Sequence, residues 1–577
     1  MDYMKRYKSW LECSYFDEET KSELKGIEND ENEIKERFYK DLEFGTGGLR
    51  GIIGAGTNRI NKYTVGRATQ GLADYIKAEN KGRNDLSVAI AYDSRNKSDK
   101  FAQRAGVVLA ANGIKAYVFD ELRPTPELSF AVRELGCDAG IVITASHNPP
   151  EYNGYKVYGP DGGQVPYPKD EAIISMVNKV EEYDKVKEMP LEDAKAKGLY
   201  EIIGSKIDDA YTEKLKEQSI NRDIIEKMAD SIKIVYTPLH GTGNKPVRRI
   251  LKEIGFKNVF VVPQQELPDK NFSTVGYPNP EDPEVFKLAL EIAEKEDADV
   301  IIGTDPDADR VGVVVKNNDG KYVVLTGNMT GALLTDYVLG QKKAKGILSG
   351  NGAVVKTIVT TEMIRPIAKE YGVEVFDVLT GFKYIGEKIK QFEETGSNTF
   401  EFGFEESYGC LSGTYARDKD AVVAAMLVAE MAAYYKNKGM TLYEGLTVLY
   451  EKYGFYREGI KSITLKGIEG LEKIQYIMTA LRNNPPSEFN GMKVEWLRDY
   501  KEKVFKNILT GETETTNLPP SNVLHYTLLG DAWVCVRPSG TEPKIKIYFG
   551  VKGGSLEDAE NKLKGIEKYV SDLIENL

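Results

Sequence analysis

Three aspartates at alternate positions are the residues of this sequence best suited to binding a metal ion. Asp305, Asp307 and Asp309 lie in the segment 303–310, GTDPDADR, which is followed by the apolar run 311–315. In an extended loop, alternate side chains face the same side, and neighbouring carboxylates are unstable together unless a hard cation neutralises them. Three protein oxygens leave Mg²⁺ with open positions that a phosphate group can fill. The spacing therefore predicts a magnesium site shared with a phosphorylated ligand.

A calcium-binding EF-hand loop is the main alternative for this segment. Arg310 stands where that loop needs glycine, Lys316 stands where it needs glutamate, and apolar strands flank it where helices are required. A solvated acidic turn is the plainer alternative, and the apolar flanks argue against it. The magnesium interpretation is therefore preferred.

A serine at the end of an apolar strand is the candidate nucleophile. The predicted strand 140–143 leads into TASHNPP at 144–150, and a loop stiffened by two prolines can present Ser146 for attack. An ordinary polar turn is the alternative. A Ser-His-Asp hydrolase is disfavoured, because neighbours on an extended chain point to opposite sides and His147 would then face away from Ser146. The loop also lacks the G-x-S-x-G elbow of many hydrolases.

Two further loops have the composition of ligand-binding sites. The segment 401–409, EFGFEESYG, sets glutamates and a serine between glycines, which suits sugar hydroxyls, although an acidic surface turn fits nearly as well. The segment 536–544, VRPSGTEPK, combines the two-pronged guanidinium of Arg537 with hydroxyl and backbone N–H donors, which is typical of a phosphate site. A capped turn is the alternative there, and the strand that follows argues against it.

The elements that must position these loops repeat along the chain. Segments 86–120, 232–263 and 346–379 each show an apolar strand, a polar loop, a helix, a glycine and a second strand. The opening strands are predicted at residues 88–91, 232–235 and 346–348. Such units indicate repeated α/β domains with mainly parallel sheets, whose ligands collect at the loops after the strands.

The two ends of the chain follow other patterns. From residue 457 onward, short strands alternate with amphipathic helices, which predicts an α+β domain with an antiparallel sheet. The start is polar and helical, with Glu and Lys four positions apart, and is expected to form an outer extension. The predicted limits are 1–43 for the N-terminal helical extension, 44–205 for α/β domain 1 with the serine loop, 206–325 for α/β domain 2 with the metal loop, 326–455 for α/β domain 3 with the sugar-binding loop, and 456–577 for α+β domain 4 with the phosphate-binding loop.

The overall composition excludes several classes of partner. The 577 residues include 77 Lys and Arg against 89 Asp and Glu, and the net charge of −12 would repel nucleic acid. The four cysteines are scattered without a C-x-x-C pair, which fits a reducing cytoplasm better than a zinc or disulfide framework. The sequence has no signal core, and its longest apolar run, 421–435, is predicted to be a buried helix. We expect a soluble cytoplasmic protein without a nucleic-acid or membrane partner; its oligomeric state is not indicated.

Taken together, the four loops resemble those of the α-D-phosphohexomutase superfamily in their order and spacing. The resemblance covers nearly the whole chain after residue 43. The segment 44–51, FGTGGLRG, and the N-terminal extension are similar to the longer phosphoglucomutase and phosphopentomutase subgroup. The resemblance implies a heart-shaped arrangement of four domains around a central cleft.

The resemblance also implies a role for individual residues. The implied catalytic residues are Ser146, as a phosphoserine, with His147, Lys156, Arg50 and Lys383. The implied substrate-binding residues are Glu405 and Ser407 for the sugar and Arg537, Ser539, Gly540 and Thr541 for its phosphate. The implied ligands of Mg²⁺ are the phosphorylated Ser146, Asp305, Asp307 and Asp309.

The implied activity is an intramolecular phosphoryl transfer on a small phosphosugar. It interconverts α-D-glucose 1-phosphate and glucose 6-phosphate, with glucose 1,6-bisphosphate as both intermediate and activator. The same chemistry on mannose or ribose phosphate stays open, because the loop around Glu405 recognises hydroxyls in relatives of differing preference. A non-catalytic phosphosugar sensor would be expected to lose Ser146 or an aspartate, and all four residues are present.

Overall fold

The computed structural model of the chain describes residues 3–44, 48–465, 467–539 and 544–577. Its N-terminal segment is helical, with α1 (Tyr3–Glu12), α2 (Glu18–Lys25) and α3 (Glu31–Phe38). Asp17 and Asp30 cap α2 and α3 by accepting backbone N–H groups. The indole of Trp10 stacks on Phe16 at 4.1 Å and meets Tyr63 edge-on, so aromatic burial attaches these helices to the first sheet domain.

The first sheet carries parallel strands in its body and antiparallel strands at one edge. Its elements are β1 (Gly48–Ile52), α4 (Lys62–Glu79), β2 (Ser87–Tyr92), α5 (Ser98–Ala111), β3 (Lys115–Phe119), α6 (Thr125–Glu134), β4 (Ala139–Ile143), β5 (Tyr152–Tyr158), α7 (Lys169–Lys179), α8 (Leu191–Ala196) and β6 (Tyr200–Ile203). The strand order is β1-β5-β4-β2-β3-β6, with β4, β2, β3 and β6 parallel and β5 antiparallel to its neighbours. Every residue of β4 is buried, as expected for a strand inside an α/β sheet.

The second sheet repeats this plan. Its elements are α9 (Ser205–Lys216), α10 (Arg222–Met228), β7 (Lys233–Thr237), α11 (Asn244–Ile254), β8 (Asn258–Val261), α12 (Pro263–Glu266), a 3-10 helix (Pro283–Phe286), α13 (Lys287–Glu296), β9 (Val300–Thr304), β10 (Val311–Lys316) and β11 (Tyr322–Leu325). The strand order is β11-β10-β9-β7-β8, with β9, β7 and β8 parallel and β10 antiparallel to its neighbours.

The third sheet also has parallel strands with an antiparallel strand at one edge. Its elements are α14 (Gly327–Ala344), β12 (Gly352–Thr357), α15 (Ile364–Tyr371), β13 (Glu374–Val378), α16 (Phe382–Thr395), β14 (Thr399–Phe404), β15 (Cys410–Leu411), α17 (Ala421–Asn437) and α18 (Leu442–Tyr453). The strand order is β13-β12-β14-β15, with β15 antiparallel to β14. The predicted opening strand at 346–348 was wrong. Those residues form the turn after α14, where Gly346 takes a φ of 70° and Ile347 is exposed, and the strand begins at Gly352.

The C-terminal part forms an antiparallel sheet with helices, as predicted. Its elements are β16 (Phe455–Thr464), α19 (Gly467–Asn483), β17 (Glu488–Phe489), β18 (Met492–Asp499), β19 (Val504–Asn507), β20 (Thr513–Thr515), β21 (Leu524–Leu528), β22 (Ala532–Pro538), β23 (Lys544–Gly553) and α20 (Leu556–Glu575). The strand order is β16-β23-β22-β21-β18-β19-β20. Apolar side chains of this sheet, including Trp533 and Tyr548, pack on Ile358 and Leu379 of the third sheet domain.

These observations confirm the predicted fold class of repeated mixed α/β domains followed by an α+β domain. One hydrophobic core joins the first three sheet domains, and the predicted buried helix, α17, lies within it. Glu430 on α17 can be buried because its carboxylate accepts hydrogen bonds from the backbone N–H groups of Ile220 and Asn221, which precede α10. None of the helices in the described part of the chain is long and apolar enough to cross a lipid bilayer.

Candidate active site

Three loops of the candidate active site occupy the same place in their three sheets. Each connects a parallel strand to the antiparallel strand that follows it in the chain, at the carboxyl end where ligands of such sheets collect. Each contains a residue other than glycine with left-handed backbone: Ser146 (φ 53°), Ala308 (φ 50°) or Tyr408 (φ 68°). This backbone costs about 1–2 kcal/mol in a residue with a Cβ atom, so the surrounding structure must hold it.

The three aspartates form a compact and buried cluster. One carboxylate oxygen from each lies within 4.8 Å of the others. Oδ1 of Asp305 accepts hydrogen bonds from the backbone N–H groups of Asp309 and Arg310, each at 3.0 Å, which fixes the turn. Among the described residues, none donates a hydrogen bond to the buried Oδ1 of Asp307 or the buried Oδ1 of Asp309. Two buried anionic oxygens without donors fit a metal site better than a structural turn.

Two lysines, with side chains 12% and 13% exposed, partly neutralise the cluster. Lys156, on β5, places Nζ 2.9 Å from Oδ2 of Asp307 and 3.5 Å from Oδ2 of Asp309. Lys419, in the loop before α17, places Nζ 2.7 Å from Oδ2 of Asp309. Its stem runs over Gly409, where an added Cβ atom would lie 2.2 Å from Cδ of the lysine. The glycine therefore leaves the space through which this ammonium reaches the cluster.

The charges within the cluster are unevenly balanced. Burial and the neighbouring Asp307 and Asp309 raise the pKa of Asp305 well above its ordinary value. Burial would also raise the pKa of Asp309, but Lys419 and Lys156 outweigh it and lower that pKa below its ordinary range. The lysines thus favour the ionised forms of Asp307 and Asp309, whereas the ionised form of Asp305 stays disfavoured. A divalent cation would favour the ionised form of all three.

Ser146 is buried beside the aspartate cluster. Its Oγ donates a hydrogen bond to Oδ2 of Asp305 at 3.0 Å, and its backbone N–H donates to Oγ1 of Thr144 at 2.8 Å. Oγ also lies 3.0 Å from Nδ1 of His147. The expectation that His147 faces away from Ser146 was therefore wrong. It assumed an extended chain, whereas the left-handed backbone of Ser146 turns the two neighbouring side chains to the same side.

The imidazole of His147 is held in its neutral form. Burial lowers the pKa of His147 well below its ordinary value, and the positive charges of Arg310 and Arg50 lower it further. The ring meets Tyr277 edge-on, with the ring centroids 5.9 Å apart. A neutral ring beside Oγ can donate or accept one hydrogen bond with the serine, depending on its tautomer.

Three residues that contact the site were not selected from the sequence. Arg95 donates hydrogen bonds to the backbone of the serine loop, Thr125 donates from Oγ1 to Oδ2 of Asp307 at 3.0 Å, and Lys419 is described above. Arg95 and Thr125 follow the carboxyl ends of the parallel strands β2 and β3, whereas Lys419 follows β15, which is antiparallel to β14. The rule that ligands collect at the carboxyl ends of parallel strands would have pointed to the first two loops, although not to the individual side chains.

The predicted sugar-binding residues lie in the turn between β14 and β15. Ser407 is half-buried there, and Oε1 of Glu405 accepts the backbone N–H of Gly381 at 2.8 Å. Burial raises the pKa of Glu405 to about 7, although the ammonium of Lys419 opposes the rise. This carboxyl thus changes its charge near neutral pH.

Arg537 lies near the end of β22, opposite Lys546 of β23. Burial raises the pKa of Glu406, and the positive charge of Arg537 opposes that rise. The positive charge of the guanidinium therefore acts on the sugar loop.

The rest of the predicted phosphate loop is described only at its ends. The backbone N–H of Ser539 donates to the carbonyl of Lys544 at 2.7 Å, which closes the loop between β22 and β23. Gly540 and Thr541, which we predicted to bind phosphate, lie outside the described residues.

Two predicted catalytic residues have partners outside the cluster of Asp305, Asp307 and Asp309. The exposed Arg50, on β1, donates from Nη1 to Oδ1 of Asn148 in the serine loop at 3.3 Å. The buried Lys383 places Nζ 3.4 Å from Oδ2 of Asp170 and lies over the ring of Tyr384. Lys383 thus ties the third sheet domain to α7, and burial lowers its pKa.

The chain matches four domain families along most of its length. These are described as phosphoglucomutase/phosphomannomutase alpha/beta/alpha domains I, II and III and the C-terminal domain, and they match residues 41–184, 209–320, 326–453 and 511–560. Curated relatives named phosphoglucomutase, from Staphylococcus aureus strains MSSA476 and USA300, are 38% identical over 534 residues. That alignment covers 92% of this chain and 94% of the relatives.

Solved structures share the fold at lower sequence identity. A putative phosphomannomutase from Thermus thermophilus gives a TM-score of 0.68 at 23% identity, covering 93% of this chain and 99% of that one. The open form of the Paramecium phosphoprotein pp63/parafusin gives a TM-score of 0.67 at 16% identity, covering 93% and 96%. At these identities the likeness concerns the fold alone.

Proposed function

The chain belongs to the phosphoglucomutase/phosphomannomutase family, and from this premise we propose that it interconverts α-D-glucose 1-phosphate and glucose 6-phosphate. The curated relatives at 38% identity, which align with 92% of the chain, carry the name phosphoglucomutase. The observation that carries the proposal is the 3.0 Å contact between Oγ of Ser146 and Oδ2 of Asp305. It brings a candidate phosphoryl carrier to a buried cluster of metal-binding carboxylates.

The proposed reaction consists of two phosphoryl transfers, one from Ser146 to the sugar and one from the sugar back to Ser146. First, the bond between phosphorus and Oγ of phosphorylated Ser146 breaks while a bond forms to the free hydroxyl of the bound monophosphate, and the hydroxyl loses a proton as Oγ of Ser146 gains one. The product, glucose 1,6-bisphosphate, turns around in the cleft. Its other phosphoryl group then returns to Ser146, and the isomeric monophosphate leaves. Free glucose 1,6-bisphosphate would phosphorylate the serine and act as the activator.

Asp305, Asp307 and Asp309 would hold Mg²⁺ together with a phosphoryl oxygen on Ser146. The two aspartate oxygens that no described residue satisfies support this assignment. When bound, Mg²⁺ would stabilise the negative charge on the transferring phosphoryl group.

The chain's own cations act on the same charge. Lys156 and Lys419 lie against the cluster, and we assign them the balancing of carboxylate and phosphoryl charge while the group moves. His147 lies in the serine loop and Arg50 donates to Asn148 of that loop, and their proposed role is to orient Oγ and the incoming phosphate.

The proposed substrate contacts come from the two remaining loops. Glu405 and Ser407 would bind sugar hydroxyls, and Arg537, with Ser539, Gly540 and Thr541, would bind the phosphate that does not transfer. The packing of the C-terminal sheet on the third sheet domain supports a single ligand spanning both loops.

The sugar preference is tested by steady-state rates on the purified chain with Mg²⁺ and the matching bisphosphate. We expect the highest kcat/KM with glucose 1-phosphate. A higher value with mannose 1-phosphate or ribose 1-phosphate would assign the activity to that sugar. Absence of turnover with all three would contradict a mutase.

The nucleophile is tested by replacing Ser146 with alanine. Intact-mass measurement should find one phosphate on the wild type after treatment with glucose 1,6-bisphosphate and none on the variant, which should fold but not turn over. Substantial activity in the folded variant would remove Ser146 from the mechanism.

A further inference from the structure

A buried arginine binds the backbone of the serine loop at four points. Arg95 lies in the loop after β2, and its side chain has no exposed surface. Its Nη1 donates to the carbonyl oxygens of Pro149 at 2.7 Å and Tyr152 at 3.1 Å. Its Nη2 donates to the carbonyl oxygens of Ser146 at 2.6 Å and Asn148. One guanidinium group therefore satisfies the carbonyl of the candidate nucleophile and three carbonyls of the chain that follows it.

Arg95 is itself held from two sides. Its Nε forms an ion pair with Oδ2 of Asp93 at 3.3 Å, and Oδ1 of Asp93 accepts hydrogen bonds from the backbone N–H of Arg95 and the hydroxyl of Ser98. The ring of Phe272, from the loop after α12, lies 4.9 Å from the guanidinium carbon. The first and second sheet domains thus both restrict where this side chain can lie.

The serine loop needs such a constraint because of its backbone. Ser146 has a φ of 53°, which is unfavourable for a residue with a Cβ atom and persists only where neighbouring groups hold it. The planar guanidinium fits four carbonyl oxygens at once. The single ammonium of a lysine has three donors and no planar fork, so it cannot reproduce the arrangement.

Resting on the proposed mutase function, we propose that Arg95 is a positioning residue that holds Ser146 Oγ where it receives and returns the phosphoryl group. The guanidinium of Arg95 is occupied by loop carbonyls and its side chain has no exposed surface, so we assign it no contact with the sugar or its phosphates. Its loss should therefore slow the transfer step and leave substrate binding nearly unchanged. A shift of about 1 Å in a reacting group can cost about 100-fold in rate.

The test compares Arg95→Lys with Arg123→Lys. Arg123 is another buried arginine of the first sheet domain, and it binds the carboxylate of Asp208 through Nε at 2.8 Å and Nη2 at 2.9 Å. Both variants should lose thermal stability. Only Arg95→Lys should lose roughly 10- to 100-fold in kcat, with KM within about threefold of wild type, and should be phosphorylated more slowly by glucose 1,6-bisphosphate.

A second measurement does not depend on turnover. Amide hydrogen exchange should become faster in residues 146–152 of Arg95→Lys and stay unchanged there in Arg123→Lys. Equal kcat in the two variants, or unchanged exchange in the serine loop, would overturn the inference. Inactivity of the wild type would instead count against the proposed function, and the exchange result would still decide whether Arg95 holds the loop.

A milder variant covers the case in which Arg95→Lys does not fold. Asp93→Asn keeps the shape of the carboxylate that anchors Arg95 and removes its charge. It should show the same pattern, with a smaller loss of kcat, an unchanged KM and faster exchange in 146–152. Wild-type kcat and exchange in a folded Asp93→Asn protein would contradict the proposal.

Discussion

The ammonium Nζ of Lys419 lies 2.7 Å from Oδ2 of Asp309, which joins the third sheet domain to the aspartate loop of the second. Ser146 of the first sheet domain donates to Asp305 of the same cluster at 3.0 Å. Loops from three sheet domains therefore meet at one group of carboxylates. The geometry of the candidate site depends on how these domains pack together.

Lys419→Met should destabilise the metal-free protein. The change leaves Asp309 buried with one cation fewer, and breaking a buried ion pair costs about 3 kcal/mol or more. Saturating Mg²⁺ should restore most of the loss, because the ion supplies the missing positive charge. Thermal unfolding in EDTA and in Mg²⁺ measures both effects.

The control is Lys436→Met, which breaks the more exposed ion pair with Asp299 between the same two domains. This change should lower the stability only a little, and by the same amount in EDTA and in Mg²⁺. Equal losses in the two lysine variants would contradict this account.

Asp307→Asn should weaken Mg²⁺ binding and lower turnover by several orders of magnitude. The amide keeps an oxygen but removes the charge and one of the two unsatisfied carboxylate oxygens. Titration calorimetry with Mg²⁺ and steady-state kinetics measure the two effects. Asp297→Asn, at an exposed position of the same domain, serves as the control and should leave both quantities unchanged. Full activity of the wild type without a divalent ion would rule out the metal site.

Ionisation of Glu405 should lower the stability of the protein as the pH rises towards neutral. Its pKa is about 7 when folded, above the ordinary value of 4.5, so the folded state holds the proton more tightly than the unfolded state. The stabilisation is complete below about pH 4.5 and is lost as the pH rises to about 7, amounting to about 3 kcal/mol. The free energy of unfolding of Glu405→Gln, relative to wild type, should therefore be higher at pH 8 than at pH 5. The exposed control Glu451→Gln should show no such change between the two pH values. The same difference at both pH values would show that Glu405 is ionised throughout.

Arg537→Lys should raise KM and lower kcat together. The lysine keeps the charge and loses the two-pronged contact with the phosphate that does not transfer, at a cost of about 1.5 kcal/mol, or roughly tenfold in kcat/KM. Ser146 should still accept phosphate from glucose 1,6-bisphosphate at high concentration. Arg498→Lys, in the same sheet, is the control for general damage to the C-terminal domain. Wild-type kinetics in Arg537→Lys would show that the loop is a structural turn.

The positions of the candidate site loops along the chain could be predicted from the sequence, because the residue patterns that mark them are local. Alternate aspartates at 305, 307 and 309, flanked by apolar runs, indicate a buried loop with converging carboxylates, and the structure brings these carboxylates together. The glycine predicted to follow the helix of each repeating unit likewise marked the helix end, as Gly255 and Gly372 do. The strand predicted at 346–348 failed because a short apolar run carries no period that separates a strand from a turn.

The contacts of the site could not be predicted, because they join residues far apart in the chain. Lys419 and Thr125 reach the cluster only when the sheet domains pack against one another, and Arg95 reaches the serine loop only because β2 pairs with β4. The His147 prediction failed for a related reason: the surrounding structure holds Ser146 in a backbone conformation that local preferences disfavour. The sequence by itself determined which side chains each loop offers, since residue type and spacing act over a few residues. Only the tertiary structure decided which of them meet, because packing and burial set distances between loops that no local pattern encodes.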